Sequence, residues 1–234
     1  MTAINLLAID TSTRRSVLVL LTRAGDVRVP ALVRDDDPKH GRMLVKDAID
    51  LLKSAGLKLR DLDVIGVGLG PGSYTGLRIG LTAVKMWSYV AGTPVVSFDS
   101  LEAVARGVAW RESRVSVVAD AQRQDLYVAD FARALETSAF DRLGPTRIMS
   151  AEEWSRVVEP GTLVLGPASA RARRLVPHAQ FAEDPALDLP SAPGMITLAL
   201  AAWAEGRFED VARLEPNYFR RSAAEDKADA APAV

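Results

Sequence analysis

The sequence predicts an α/β chain of two lobes, each a mixed sheet carrying helices, with the second lobe shorter than the first. Apolar runs short enough for strands alternate with longer segments in which apolar residues recur at helical spacing. An apolar run, an aspartate, a small or polar turn and a further apolar run occur in succession twice: Leu6–Asp10 with Ser16–Leu21, and Val115–Asp120 with Leu126–Phe131. Between these lies a glycine-rich turn, Gly68-Leu69-Gly70-Pro71-Gly72-Ser73-Tyr74-Thr75-Gly76, which joins the apolar run Val64–Val67 to a long helical segment.

Leu6–Ile9 reads as the first strand. Ser16–Leu21 and Asp26–Val33 follow across short turns, Gly25-Asp26 marking the second of them, so the chain opens as a meander. From His40 to Ala55 the spacing is helical: Leu44, Ala48 and Leu51 form one stripe, Val45, Ile49 and Leu52 lie beside it, and Gly56 suits the C-cap. The strand Val64–Val67 and the glycine turn lead into a helix over Leu77–Ala91, which Gly92-Thr93-Pro94 ends. Val95-Val96 is a short strand, and Asp99 or Ser100 caps a helix through Val108. The order is βββαβαβ and then a helix.

A charged break at Arg111–Arg114 opens the second half. There Arg142–Met149 reads as a third strand, Leu163–Leu165 as a fourth and Ile196–Trp203 as a helix. The echo between the halves fits a duplication, or the recurrence of a common strand–turn–strand unit. The expected organisation is a first lobe over residues 1–110, a degenerate second lobe over 111–221, and a disordered tail over 222–234 that is rich in alanine and charge.

With 29 basic against 30 acidic residues the net charge is −1, which does not favour a nucleic-acid surface acting alone. The absence of cysteine removes disulfides, zinc–thiolate centres, iron–sulfur clusters and a cysteine nucleophile together. The start Met1-Thr2-Ala3-Ile4-Asn5 lacks the pattern of a secretory leader. No apolar run reaches the roughly 18 residues of a membrane span. A cytoplasmic chain without membrane attachment is expected.

A glycine turn between strand and helix is where backbone N–H groups and a helix dipole converge on phosphates. Here the glycines give neither the Walker A spacing with its lysine nor G-x-G-x-x-G. The alternatives are positive φ with close backbone packing, which the spacing favours, or direct contact with a nucleotide. Ser73 and Thr75 are placed to cap the helix. The turn Asp10-Thr11-Ser12-Thr13-Arg14-Arg15 offers a similar choice, a hairpin turn with solvated arginines or a phosphate cradle with Asp10 orienting a metal or water. A vestigial nucleotide site would comprise Asp10, Thr11, Ser12, Thr13, Gly70, Gly72 and Ser73. The two histidines, His40 and His178, form no metal-binding pair, so no metal is expected, and Ser73 does not lie in G-x-S-x-G. No catalytic residue is assigned.

Both long helices carry more apolar surface than one sheet contact needs. They are either wedged between two layers of their own chain or form a subunit interface, two helices meeting two from a partner. The interface residues expected on this basis are Met43, Leu44, Asp47, Leu51, Leu77, Arg78, Leu81, Thr82, Lys85 and Met86.

A βββαβαβ unit followed by a degraded repeat is the pattern of the actin-like, sugar-kinase and Hsp70 ATPase superfamily, with its RNase H-like sheets. More specifically, Leu7-Ala8-Ile9-Asp10-Thr11-Ser12-Thr13, Gly70-Pro71-Gly72-Ser73-Tyr74-Thr75-Gly76-Leu77-Arg78-Ile79-Gly80 and Ser100-Leu101-Glu102-Ala103 resemble the bacterial TsaB family, also called YeaZ. Asp120-Ala121-Gln122-Arg123-Gln124-Asp125-Leu126-Tyr127 is similar to its Asp-Ala-Arg-x-x-x-x-Tyr segment, and Pro216-Asn217-Tyr218-Phe219-Arg220 to its C-terminal Pro-x-Tyr-x-Arg. The resemblance spans about residues 4–221. Gln122 stands where the family often has arginine, and His40-Gly41-Arg42-Met43 where it often has His-Ser-Glu-x.

The resemblance implies the two-lobed actin-like fold and a non-catalytic role in forming N6-threonylcarbamoyladenosine in tRNA. It implies docking through the two first-lobe helices onto the paralogous transferase TsaD, joined by the ATPase TsaE. It further implies homodimers in isolation, indirect contact with tRNA, no intrinsic cofactor, and ATP and metal held by the partner subunits. A small-molecule kinase using Asp10 is the alternative from another class, with a peptidase behind it.

Overall fold

The structure, a computed structural model, describes residues 3–28, 40–108, 113–133 and 140–219. The expected tail at 222–234 and most of the expected third strand beyond residue 28 lie outside the described residues.

The first sheet holds β1 (Leu6–Asp10), β2 (Val17–Leu21), β3 (Val27–Arg28), β4 (Val64–Gly68) and β5 (Val95–Phe98), in the order β3-β2-β1-β4-β5. β1 is antiparallel to β2 and parallel to β4, and β4 is parallel to β5. β1, β2 and β4 read as unbroken apolar runs because both their faces are covered. Leu7 and Ile9 of β1 enter one core with Ile65 and Val67 of β4, and α1 (His40–Ser54) and α2 (Tyr74–Ala91) lie over it. Leu6 and Ala8 enter the opposite core, beneath α6 (Ala192–Ala204). α6 follows the second sheet in sequence but packs on the first, not with the lobe in which a division at residue 111 placed it. Its apolar residues run round most of its circumference, which suits a helix enclosed by β-strands and α3 (Ser100–Ala105).

The second sheet repeats the plan. It contains β6 (Arg114–Asp120), β7 (Asp125–Arg133), β8 (Phe140–Arg142), β9 (Arg147–Ser150), β10 (Leu163–Leu165) and β11 (Gln180–Phe181), in the order β11-β10-β6-β7-β8, with β9 also on β7. β6 is antiparallel to β7 and parallel to β10, as β1 is to β2 and β4. The matching topology supports a duplication over a chance recurrence. α3 packs on the face made by Val115, Val117, Tyr127 and Phe131. α4 (Ala151–Val157) and α5 (Ser169–Ala172) cover the other face, where Trp154 is buried beside Val118 and Val128.

The single strand expected over Arg142–Met149 is instead β8 and β9, separated by a turn at Leu143-Gly144-Pro145-Thr146. Gly144 there has φ 131°, which breaks the ladder. α2 starts at Tyr74, a turn earlier than the apolar spacing predicts, because Ser73 caps it by accepting from the Gly76 N–H at 3.1 Å. Asp99, not Ser100, caps α3, accepting from the Glu102 N–H at 2.9 Å.

Two positions on α2 distinguish its buried and exposed faces. Leu81 belongs to the core under the helix, while Met86 is 57% exposed. Leu81→Ala is expected to destabilise the chain by about 2–5 kcal/mol. Met86→Ala is expected to stay within about 0.5 kcal/mol. Urea unfolding of the two variants checks this through their midpoints.

Candidate functional site

At the C-terminal ends of β1 and β4 the chain packs against itself. Asp10 is buried at the end of β1. Its Oδ1 accepts from the Ser12 N–H at 2.8 Å and the Ser12 hydroxyl at 2.6 Å, and its Oδ2 from the Ser100 hydroxyl at 2.6 Å. Ser100 Oγ in turn accepts from the Gly70 N–H at 3.0 Å. The Ser73 N–H donates to the Ser12 carbonyl at 2.6 Å. One carboxylate thus ties the β1 turn, the glycine turn and the start of α3 together.

The glycines make this approach feasible. A Cβ on Gly68 would fall inside the Asp10 carboxylate, and one on Gly72 would overlap the Ser12 carbonyl. Gly70 has φ 92° and precedes Pro71 across a cis peptide. Close packing, not a free phosphate cradle, therefore accounts for the glycine turn. Thr11 and Ser12 are buried and Thr13 is half-buried. Ser100, a cap candidate and the first residue of the Ser100–Ala103 motif, is absent from the site the sequence predicts; it lies 90 positions from Asp10 and no local pattern links them.

Burial pushes the Asp10 carboxyl above the ordinary aspartate range, against the lowering effect of the Ser100 and Ser12 hydrogen bonds. Asp188 is also raised by burial, while accepting from the Gly166 N–H at 2.9 Å and the Ser169 hydroxyl at 2.6 Å. Gly166-Pro167 after β10 mirrors Gly70-Pro71 after β4, and both glycines have positive φ. Asp120 at the end of β6 accepts from the Gln122 N–H at 2.9 Å, as Asp10 does from Ser12.

Between the two sheets runs a cleft of about 540 Å³, lined by Ser12, Arg14, Ser73, Asp120, Gln122 and Asp188 among others. Gln122, Arg123 and Gln124 at its edge are consecutive non-glycine residues in the left-handed region, with φ of 61°, 49° and 69°. No group of three or more His, Cys, Asp or Glu among the described residues is arranged to hold a metal ion.

The second candidate surface is the outer face of α1 and α2, which pack side by side over the first sheet. Here the residue assignment needs correction. Leu44, Leu51, Leu77 and Leu81 are buried within the chain itself, the first, second and fourth of them in the core over the sheet, and are not available to a partner. The apolar circumference of a helix does not reveal which of its positions the chain's own sheet takes. Met43, Asp47 and Lys85 are half-buried, while Arg78, Thr82 and Met86 are exposed. The exposed apolar residues on the two helices are Val45, Ile49, Met86, Tyr89 and Val90, with Tyr89 at 91% and Val90 at 75% exposure. On α2, Thr82, Met86, Tyr89 and Val90 share one face by helical spacing. Lys46 and Asp50 pair along α1 beside this stripe.

Comparisons with known proteins match this architecture. The family model for TsaD, tRNA N6-adenosine threonylcarbamoyltransferase, matches residues 37–164. An uncharacterized protein of Mycobacterium tuberculosis is 32% identical, the alignment covering 92% of this chain and 91% of that protein. The tRNA threonylcarbamoyladenosine biosynthesis protein TsaB of Escherichia coli is 28% identical, with 94% and 96% covered. The solved structure of YeaZ from Pseudomonas aeruginosa superposes with a TM-score of 0.77 at 27% identity, covering 92% of this chain and all of that one.

Two outcomes test the Asp10 network. Gly72→Ala is expected to destabilise by about 1–3 kcal/mol, since the new methyl must displace the Ser12 backbone; thermal unfolding measures this. A carboxyl whose pKa is raised on folding contributes stability that is fully present below its ordinary value of 3.8 and is lost as pH rises through the folded value. The stability of the wild type relative to Asp10→Asn is therefore expected to fall as pH rises from below that value and then level off. Urea titrations at a series of pH values check the sign.

Proposed function

This chain belongs to the tRNA N6-adenosine threonylcarbamoyltransferase family, on its TsaB (YeaZ) branch, and we propose that it serves as a non-catalytic subunit in making N6-threonylcarbamoyladenosine in tRNA. On this reading it docks through the outer face of α1 and α2 onto a TsaD-type transferase, which holds the metal and the reacting nucleotide. A TsaE-type ATPase joins the pair and supplies ATP turnover, tRNA is met through the assembly, and two copies of the chain pair through the same face when the partner is missing. The setting is the cytoplasm, in keeping with the finding that no helix among the described residues is long and apolar enough to cross a membrane.

The observation that carries the proposal is the exposed apolar stripe of Val45, Ile49, Met86, Tyr89 and Val90 on two packed helices. A contact of about 800 Å² per partner suffices for a specific interface. Aromatic residues and methionine are enriched in such contacts, and Tyr89 and Met86 are among the exposed residues here. Burying the stripe against a second helix pair removes apolar surface from water without disturbing the core beneath it. A small-molecule kinase acting through Asp10 would need that carboxylate free for a metal or a water. Here both oxygens are engaged by Ser12 and Ser100, and a small-molecule ligand at Asp10 would have to displace those bonds.

Val90→Glu and Met86→Glu are expected to keep the thermal midpoint of the wild type and to weaken capture of the TsaD-type subunit from the same organism by at least about tenfold, or 1.4 kcal/mol. Reconstitution with that subunit, the ATPase, the adenylate-forming enzyme, ATP and tRNA is expected to modify adenosine only when this chain is present. Undiminished modification without it would contradict the proposal.

A further inference from the structure

The segment after α6 runs back across the first sheet as a strap. The Glu209 N–H donates to the Val95 carbonyl at 2.9 Å and the Asn217 N–H to the Leu69 carbonyl at 2.9 Å, so the strap is pinned beside β5 and at the glycine turn. Leu214 is buried in the core under α1 and α2, and Val211 packs against it. Lys85 of α2 donates to the Ala212 carbonyl at 3.2 Å.

At its end the strap turns aromatic. The Tyr218 hydroxyl accepts from Arg78 Nε at 2.9 Å, and its ring lies 5.1 Å from that of Tyr74 in the first turn of α2. The Arg78 guanidinium sits 4.0 Å over the Tyr74 ring. The next residue, Phe219, reaches the other sheet, its ring 5.9 Å from that of Tyr127 on β7 at a 59° tilt. Tyr127 is nearly buried on the sheet face that α3 covers, whereas Phe219 is 38% exposed. Adjacent residues of one strap therefore grip the first turn of α2 and the second sheet. The first attachment is a network of hydrogen-bonded and stacked groups; the ring pair joining Tyr127 and Phe219 is held at the surface.

We propose that residues 207–219 form a latch that sets the separation of the two sheets at the cleft and ties it to the first turn of α2. With Phe219 seated on Tyr127, Tyr218 is held against Tyr74 and Arg78. With Phe219 released, the cleft widens and the Tyr74–Arg78 cluster loosens. Any event that widens the cleft then alters the surface at the start of α2, and by linkage any partner that fixes that surface narrows the cleft. The latch acts within the isolated chain and does not depend on which partner α2 meets.

The cysteine-free sequence allows paired spin labels, one at Lys58→Cys beside the first sheet and one at Glu183→Cys beside the second. Phe219→Ala is expected to shift the label separation to longer, broader values. It is also expected to speed amide exchange in the first turn of α2 by about tenfold. Tyr218→Phe, which keeps the ring and removes only its hydroxyl, is expected to speed that exchange and, by the same linkage, to lengthen the label separation by less than Phe219→Ala does. Should Phe219→Ala fold poorly, Phe219→Leu tests the same contact with an apolar residue retained and is expected to give an intermediate shift. An unchanged label separation on loss of the Phe219 ring would overturn the latch, and unchanged exchange in α2 would overturn its coupling to that helix.

Discussion

The hydrogen bonds gathered on the Asp10 carboxylate fix the arrangement on which the rest of the first lobe depends. A buried carboxylate is costly unless its lone pairs are met, and here Ser12 and Ser100 meet them from two different segments. The result joins the end of β1, the glycine turn after β4 and the first residue of α3. It also sets the direction in which α2 leaves the sheet and the position of α3 against the second sheet. Because the knot is made by the chain itself, both Asp10 oxygens at the end of β1 are engaged by Ser12 and Ser100.

What was legible in the sequence follows from the same physics. β1, β2, β4 and α2 are apolar segments bounded by Asp10, Gly25 and the glycine turn, and the spacing predicts each to within a turn. The three-layer packing of the first sheet explains why its strands show no polar alternation. The second sheet was harder to read. β8 and β11 are short, α4 buries little beyond Ala151 and Trp154, and the Gly144-Pro145 turn interrupts what looked like one strand. α6 gave a clear helical signal but no indication of which sheet it would join, since that depends on contacts far apart in the chain.

The candidate sites were only partly legible, for a related reason. The glycine and aspartate motifs located the Asp10 knot, yet Ser100 could be joined to it only in three dimensions. On α1 and α2 the apolar spacing predicts more surface than one sheet needs, but four of the residues it assigns to an interface are buried within the chain. Leu44, Leu51, Leu77 and Leu81 serve the chain's own interior, and the outward stripe is Val45, Ile49, Met86, Tyr89 and Val90. A periodicity argument identifies stripes; it does not say which stripe the sheet claims.

The proposed role turns on the apolar residues that α1 and α2 expose. Amide hydrogen exchange on the chain, alone and with its organism's TsaD-type transferase, tests this most directly. Docking through the helices predicts protection concentrated on residues 45–53 and 82–91, with residues 10–15 and 70–73 unchanged. Protection confined to the Asp10 turn and the glycine turn, with α1 and α2 exchanging as in the free chain, would contradict it.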